Sequence, residues 1–323
     1  MAAEKSIIFG PVPSRRLGSS LGLNTIPPKV CSYSCAYCQL GRTTTMQLRR
    51  QPFYTPREIF AAVQEKLAAV QKAGLAIDYL TFVPDGEPTL DLHLETEIDL
   101  LRTLGLPIAV ITNSSLIWQQ DVREALSKAD WVSLKVDSVE PNIWRQIDRP
   151  HRQLKLASIL EGAVAFAKGF KGVLVTESML LANVNDTTLN IEATADFLRL
   201  LKPTTAYLSV PTRPPAEQWA QPPDETVLNR AYQIFADKLT HVEYLTGYEG
   251  NAFAFSGDTA QDILSITAVH PMRHDALEEF LKKSGDHWEI VQQMVERKQL
   301  IETEYRGNTF YLRHFPRYSG NNA

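Results

Sequence analysis

The three cysteines of the chain, Cys31, Cys35 and Cys38, lie within eight residues in a C-x3-C-x2-C run. An odd, clustered set does not suit a secreted disulfide framework and is typical of a reduced compartment and a bound metal. A [4Fe-4S] cluster normally takes four thiolates, so three thiolates leave one iron open to an external chelating ligand. Zinc, which needs a fourth protein ligand close by, and a redox thiol pair remain as alternatives. No histidine occurs between the cysteines or in the next fifty residues, which weakens the zinc alternative.

This run resembles the signature of the radical S-adenosylmethionine (SAM) superfamily, C-x3-C-x-φ-C, with Tyr37 as the aromatic residue before the last cysteine. The resemblance implies that the open iron binds the amino and carboxylate groups of SAM and that Tyr37 belongs to the SAM site. It also implies reductive cleavage of SAM to methionine and a 5'-deoxyadenosyl radical, which abstracts hydrogen from a substrate. An external one-electron donor of the flavodoxin or ferredoxin type would supply the electron. In such cofactor chemistry the protein contributes binding and orientation.

Two later turns match the same family. Gly86-Glu87-Pro88 resembles the family's GGE motif, with Asp85 in place of its first glycine, and implies acceptors for the SAM amine at Gly86 and Glu87. Thr112-Asn113 resembles the family's Thr-Asn-Gly turn, with Ser114 where glycine is usual, and implies a SAM contact at Asn113. Ordinary turns without a ligand are the alternative in both places.

Polar residues also follow the ends of later predicted strands. Ser133, Lys135 and Asp137 alternate on the strand predicted over Trp131–Val136 and its end, so they share one face. Polar side chains on such a face need partners or water, and Ser133 and Lys135 are candidates for the SAM carboxylate and ribose. A buried polar network without a ligand is the alternative. The candidates for catalysis or substrate contact are Asp137, Glu177, Arg213 and Arg16.

Short apolar strands alternate with helices along most of the chain. Strands are predicted at 21–26, 77–83, 107–111, 131–136, 172–181 and 205–210. Helices are predicted at 55–74, 93–104, 122–129, 156–167, 189–201 and 224–238, the first opened by Thr55 as N-cap and Pro56 at N1. This alternation indicates βα units around a parallel sheet. We predict an α/β fold with a partial (βα)6 TIM-like barrel, in which chemistry gathers after the C-terminal ends of the strands.

The pattern changes towards the C-terminus. Three short helices, Ile263–Val269, Asp275–Lys283 and Trp288–Lys298, precede a hairpin formed by Leu300–Tyr305 and Thr309–Arg313. This composition predicts a small winged-helix-like α+β domain. The predicted domains are a radical SAM barrel over 1–240, a connector over 241–262, the winged-helix-like domain over 263–317 and a tail over 318–323.

A winged helix raises the question of nucleic-acid binding. The candidate recognition helix carries both acidic residues (Glu289 and Glu296) and basic residues (Arg297 and Lys298). A DNA-binding helix that neutralises several phosphates has a predominantly positive face. The hairpin carries Arg306, Arg313 and Arg317 among aromatic residues, which is compatible with RNA contact. Nucleic-acid contact and a peptide-, protein- or barrel-capping role of this module both stay open, and the expected substrate is RNA or protein.

The net charge of -4 gives no global basic field for nucleic acid or membranes. The chain start has no uninterrupted apolar segment, and no stretch reaches membrane-spanning length, so we expect a cytoplasmic protein without a membrane partner. Further stretches resemble a poorly characterised radical SAM subgroup, distantly similar to nitrogenase-cofactor assembly and wybutosine-tRNA enzymes. These stretches are 10–18, 213–217, 248–258 and 265–273.

Two functional classes follow. The first is a radical SAM enzyme with one cluster that acts on an unidentified substrate, RNA or protein. The second is a regulator in which a cluster switches nucleic-acid binding by the winged helix. A non-enzymatic zinc protein is the third, weaker reading. The SAM-facing residues favour the enzyme.

Overall fold

The computed structural model describes residues 7–246, 253, 255 and 257–314. Its first ten strands are β1 (Ile8–Ser14), β2 (Gly18–Leu23), β3 (Val30–Cys31), β4 (Thr45–Met46), β5 (Tyr79–Phe82), β6 (Ile108–Thr112), β7 (Trp131–Lys135), β8 (Val173–Met179), β9 (Thr205–Ser209) and β10 (Val242–Leu245). Eight of them form the main sheet in the order β1-β2-β5-β6-β7-β8-β9-β10. All neighbours from β2 onward are parallel, and β1 is antiparallel to β2. Strands β3 and β4 form a separate parallel pair.

Seven helices connect these strands. They are α1 (Pro56–Lys72), α2 (Leu94–Arg102), α3 (Gln120–Leu126), α4 (Pro141–Asp148), α5 (Leu156–Gly169), α6 (Thr188–Leu201) and α7 (Glu225–Lys238). Parallel neighbours require such crossover connections. The start of α1 confirms the predicted cap, because Thr55 and Glu58 form a reciprocal capping box ahead of Pro56.

The two faces of the main sheet differ in chemistry. Residues such as Leu80, Val110 and Val132 are fully buried in one large apolar core shared with the helices. Successive strand residues point to opposite faces, and the other face begins with the apolar residues Trp131 and Val175. Two positions further along the same strands, this inner face becomes polar at its C-terminal end. The candidate residues on β7 and β8 belong to that polar end.

Strands β1, β3 and β4 were not among the predicted strands, and two further elements differ from the sequence prediction. Strand β10 extends the parallel sheet beside β9 within the range predicted as connector, so the sheet continues past residue 240. The strand is only four residues long and lies close to Gly247 and Gly250 in the sequence, which made the segment resemble a linker. Helix α4 was not predicted, because eight residues with only three apolar positions, Ile143, Trp144 and Ile147, give a weak periodic signal.

The C-terminal module (residues 257–314) has its own core. It contains α8 (Thr259–Val269), β11 (Met272–Arg273), α9 (His274–Ser284), α10 (Glu289–Glu296), β12 (Leu300–Tyr305) and β13 (Asn308–Arg313). The strands form an antiparallel sheet in the order β11-β13-β12, packed on side chains such as Ile266, Phe280 and Met294. Three helices and a hairpin occur in the predicted order, and the assignment to a winged-helix fold stays a prediction.

The C-terminal module packs against the barrel. Lys66 on α1 forms an ion pair of 3.2 Å with Asp262 on α8, and the Tyr305 hydroxyl donates a hydrogen bond of 3.1 Å to the Pro211 carbonyl. The predicted tail, Arg317 and most of the 248–258 stretch lie outside the described residues. Among the helices of the described ranges, none is long and apolar enough to cross a membrane.

Candidate active site

The cysteine loop (residues 29–47) presents three thiols to one cavity. The Cys38 amide donates to the Cys35 carbonyl at 3.1 Å, and the Ala36 amide donates to Ile147 in α4 at 2.7 Å. These bonds shape the loop and attach it to the barrel. The three cysteines are partly exposed free thiols, and all three line a cavity of about 390 Å³.

Nitrogen donors approach two of the three sulfurs. Asn113 Nδ2 lies 3.5 Å from Cys31 Sγ, and Lys29 Nζ lies 3.5 Å from Cys38 Sγ. Burial raises the pKa of Cys31 to about 12, so a lone thiolate is unfavourable there and needs a cation to exist. Hydrogen-bond donors around the sulfurs are typical of iron–sulfur sites, where they tune the reduction potential.

The third sulfur lies beside a pair of buried carboxyls. The Cys35 thiol donates to Asp148 Oδ1 at 3.4 Å, and the Tyr37 hydroxyl donates to Asp137 at 2.5 Å and to Asp148 at 3.3 Å. Burial raises the pKa of Asp148 well above its ordinary value, and the neighbouring Asp137 raises it further. Asp137, predicted as a substrate candidate, is 3% exposed and lies behind Tyr37. Sequence reasoning missed Asp148 because it missed α4.

The turn after β5 fits tightly against the cysteine loop at Gly86. A Cβ at Gly86 would lie 1.9 Å from the Val30 carbonyl oxygen, so only glycine allows this approach. The Lys29 amide donates to the Asp85 carbonyl at 3.0 Å, and the Glu87 amide donates to the Val30 carbonyl at 3.3 Å. The predicted SAM-binding turn is therefore bonded directly to the strand that carries the first cysteine.

The Glu87 carboxylate is occupied by protein donors. It accepts from Thr112 Oγ1 at 2.6 Å, from the Asn113 amide at 2.7 Å and from the Thr89 hydroxyl at 2.6 Å. Burial raises the pKa of Glu87, and these hydrogen bonds oppose the rise. At 1% exposure, Glu87 holds the Thr112-Asn113 turn in place, and that turn places Asn113 against Cys31.

Asp85, which stands where the family motif has glycine, lines the cavity. The Asn24 side chain forms two hydrogen bonds with Asp85. Its Nδ2 donates to Asp85 Oδ2 at 2.9 Å, and its Oδ1 accepts from the Asp85 backbone amide at 2.9 Å. The other carboxyl oxygen of Asp85, Oδ1, is buried without a protein hydrogen-bond partner. Burial raises the pKa of Asp85 to about 7. The departure from the motif thus adds an oriented acceptor to the cavity.

Strands β7 and β8 place a charge network on the inner face. Glu177 accepts from Lys135 Nζ at 2.7 Å and from Arg16 Nη1 at 2.8 Å. Burial alone raises the pKa of Glu177, but the two cations hold it at about 2. Lys135 Nζ also lies 4.9 Å from the centre of the Tyr37 ring, within cation–π range. Ser133, two residues before Lys135, is 1% exposed.

The proline loop (residues 211–223) follows β9 and covers the cysteine loop. The Glu217 amide donates to the Ala36 carbonyl at 2.9 Å. The Glu217 carboxylate accepts two bonds from Arg42, at 2.7 and 3.1 Å, and one from Arg149 at 2.6 Å. Hydrogen bonds from Arg42 and Arg149 lower the pKa of Glu217 to about 2. Glu217 lay within a recognised sequence stretch, but its role depends on two distant arginines and was not predicted.

The structure brings most of the predicted site residues to the cavity. Those that line it are Cys31, Cys35, Cys38, Tyr37, Gly86, Lys135, Glu177, Arg213 and Arg16. Of the others, Glu87, Ser133 and Asp137 are buried, and Asn113 reaches the cavity wall at Cys31. Asp85, Lys29 and His270 line the same cavity and were not predicted as site residues.

Comparison with known proteins identifies the family. The sequence model of the radical SAM superfamily matches residues 25–198. The chain belongs to the radical SAM superfamily. It is 48% identical over 310 residues to UPF0026 protein MJ1312 of Methanocaldococcus jannaschii, covering 95% of this chain and 96% of that protein.

Solved structures share the fold of this radical SAM protein. TYW1 with a lysine-pyruvate adduct bound superposes with a TM-score of 0.56 at 15% identity, over 69% of this chain and 76% of TYW1. A radical SAM methyltransferase from Sphaerobacter thermophilus has a TM-score of 0.56 at 17% identity, over 70% and 66% of the two chains. The predicted α/β fold with a partial TIM-like barrel is confirmed.

The protein is therefore a radical SAM enzyme, and its cofactors are a [4Fe-4S] cluster and SAM, as in its family. The donor set fits the cluster, since three thiols line one cavity and two have N–H donors within 3.5 Å. In the described part of the chain, no three His, Cys, Asp or Glu side chains converge on a single metal ion. A four-iron cluster does not require convergence, because each thiolate binds a different iron.

Proposed function

We propose that Cys31, Cys35 and Cys38 hold the [4Fe-4S] cluster and that SAM binds the open iron inside the cavity beside them. The observation that carries this proposal is the cavity itself, which is lined by the chain's only three cysteines together with Asp85 and Lys135. When bound, the cluster supplies one-electron cleavage of SAM, which yields a 5'-deoxyadenosyl radical for hydrogen abstraction. The substrate class expected from the sequence is RNA or protein, with a flavodoxin or ferredoxin as electron donor.

The chain's own side chains provide complementary charges for SAM. Asp85 Oδ1 is a buried acceptor without a protein partner, which suits the methionyl ammonium. Lys135 provides a cation for the SAM carboxylate and is held by Glu177. We assign Glu87, which sequence reasoning gave to the SAM amine, to positioning the turn that carries Asn113.

The proposal is tested by anaerobic reconstitution of the full chain with iron and sulfide, followed by dithionite and SAM. We expect wild type to bind about four irons per chain and to form 5'-deoxyadenosine. Cys38→Ala should lose the cluster and the product. Thr45→Ala, an exposed substitution in the same loop, should keep both.

A reconstituted wild type that binds iron and sulfide but forms no 5'-deoxyadenosine would overturn the proposal. Cluster-dependent nucleic-acid binding in that same preparation would support the regulator instead. Retention of one zinc ion and no sulfide would support a zinc protein.

A further inference from the structure

Lys29 is a buried lysine whose ammonium faces one of the three cysteines. The residue is 6% exposed and lines the cavity. Its Nζ donates to the Gly41 carbonyl and lies 3.5 Å from Cys38 Sγ. Lysine is almost never fully buried unless its charge is paired. A negative charge is therefore expected beside this ammonium.

The described part of the chain does not provide that negative charge as a carboxylate in contact with Lys29. The Nζ atom has two acceptors there, the Gly41 carbonyl and the Cys38 sulfur. Burial raises the pKa of Asp85 to about 7, and the charge of Lys29 opposes this rise without preventing it. Asp85 therefore feels the ammonium but does not form an ion pair with it.

The other buried carboxyls beside the cysteines interact with different groups. Glu87 is occupied by protein donors from its own turn and the next one. Burial raises the pKa values of Asp137 and Asp148, and the cation that opposes this rise is Lys135. The sulfur, in its thiolate form, is what remains to pair with the ammonium.

The backbone fixes the position of this side chain. Lys29 has a φ of 64°, in the left-handed region that residues other than glycine rarely adopt. Its amide donates to the Asp85 carbonyl at 3.0 Å, and its carbonyl accepts from the Thr44 and Thr45 amides, each at 3.1 Å. Lys29 is therefore bonded both to the turn after β5 and to the later part of the cysteine loop, which holds its ammonium beside Cys38.

We propose that Lys29 is a counter-ion of the cluster, with its ammonium donating to the Cys38 thiolate and stabilising the negative charge that one-electron reduction adds. The electron comes from an external one-electron reductant. A cation acts strongly at a buried site, where water screens it little, and charge near the sulfurs affects the reduction potential. Lys29 is thus a positioning residue that acts through Cys38. The inference rests on the proposed function, since it takes Cys38 to be a cluster ligand.

The test measures the ratio of reduced to oxidised cluster in the reconstituted full chain without SAM, at one potential set by a titanium(III) chelate and redox dyes. Lys29→Met should lower this ratio by about tenfold or more, because the cation is lost. Lys29→Arg, which keeps the charge, should stay close to wild type. Asn113 is a neutral donor at the same 3.5 Å from Cys31 Sγ, so Asn113→Ala should have a smaller effect than Lys29→Met. Lys72→Met, at an exposed position on α1, should match wild type.

A second measurement does not depend on the neutral variants. In wild type labelled with ¹⁵N-lysine, pulsed EPR of the reduced cluster should detect a coupled ¹⁵N nucleus. The coupling should disappear in Lys29→Arg. It should persist in Lys135→Arg, which removes the other lysine that lines the cavity.

Absence of the ¹⁵N coupling in wild type, or equal ratios for Lys29→Met and wild type, overturns the inference. Equal effects of Lys29→Met and Asn113→Ala overturn the part assigned to charge. Loss of the cluster from Lys29→Met but not from Lys29→Arg supports the inference, because a cation is then needed to hold the cluster.

The same wild-type preparation is assayed for iron, sulfide and 5'-deoxyadenosine, which keeps the two proposals separable. A cluster that cleaves SAM but does not respond to Lys29 overturns the counter-ion alone. A cluster that responds to Lys29 but forms no 5'-deoxyadenosine overturns the proposed function alone.

Discussion

Asp85 shows how one buried carboxyl makes stability depend on pH. Its pKa is about 7 in the folded chain against 3.8 for an ordinary aspartate. Between these values the folded state holds a proton that the unfolded state has lost. The free energy of unfolding therefore falls as pH rises through this range, by about 1.4 kcal/mol per pH unit from this group.

Asp85→Asn should remove this dependence, because the amide resembles the protonated acid and does not titrate. We expect the free energy of unfolding of the variant, relative to wild type, to increase by about 1.4 kcal/mol per pH unit between pH 4.5 and 6.5. Urea unfolding at a series of pH values measures it. Asp237→Asn, at an exposed position, controls for loss of a surface carboxyl. Parallel curves for Asp85→Asn and wild type would contradict the prediction.

At the scale of single residues, sequence reasoning finds what local spacing encodes. The cysteine run and the Gly86-Glu87 turn are each readable within a few positions. Asp148 is not, because its contact with Cys35 joins residues 113 positions apart. The same limit explains Glu87: its motif is local, but two of the donors to its carboxylate, Thr112 and Asn113, come from the end of the next strand. Which side of a motif faces a ligand is decided by the packing of neighbouring strands.

Among the elements, the proline loop has a specific mechanical role. Glu217 links it to Arg42 of the cysteine loop and to Arg149 at the end of α4, while Trp219 lies 5.7 Å from the Arg149 guanidinium. Proline restricts the backbone of the loop before it docks. The loop therefore restrains the segment that carries the three cysteines.

Glu217→Gln should weaken the contacts with Arg42 and Arg149 and thereby increase the access of solvent and oxygen to the cluster. We expect the reconstituted variant to lose its iron–sulfur absorbance in air several-fold faster than wild type, because the charge-assisted hydrogen bonds from Arg42 and Arg149 are weakened. Glu161→Gln, an exposed change on α5, should decay at the wild-type rate. Equal rates for all three proteins would show that the ion pairs do not protect the cluster.

Most elements were predictable, because the parallel strands β2 and β5 to β9 and the long helices of the barrel carry local apolar patterns. Helix α1 begins where its capping residues predicted. Helix α4 and strand β10 were missed since both are short, and tertiary contacts stabilise them more than their own patterns do. Trp144 illustrates this: it is 3% exposed, and its indole N–H donates to Tyr33 of the cysteine loop at 3.1 Å.

For the molecule as a whole, the cavity is lined both by the region that matches the superfamily model and by residues outside that region. The cysteine loop, the Asp85 turn and Lys135 belong to the matched region. Val210, Arg213 and His270 line the same cavity from outside it. The cavity is thus formed by two different stretches of sequence. The position of the C-terminal module on the barrel therefore determines part of the cavity wall.

The ion pair between Lys66 and Asp262 is one of the contacts that hold the module in that position. The Asp262 side chain is 3% exposed and that of Lys66 17%, so removing the lysine leaves a buried carboxylate without this cation. Lys66→Met should lower the free energy of unfolding by on the order of 2–3 kcal/mol and increase proteolysis between barrel and module. Lys66→Met combined with Asp262→Leu should recover part of the loss, because the buried carboxylate that faced the lysine is removed as well. Urea unfolding and limited proteolysis of the three proteins measure this, and a double variant no more stable than Lys66→Met would contradict it.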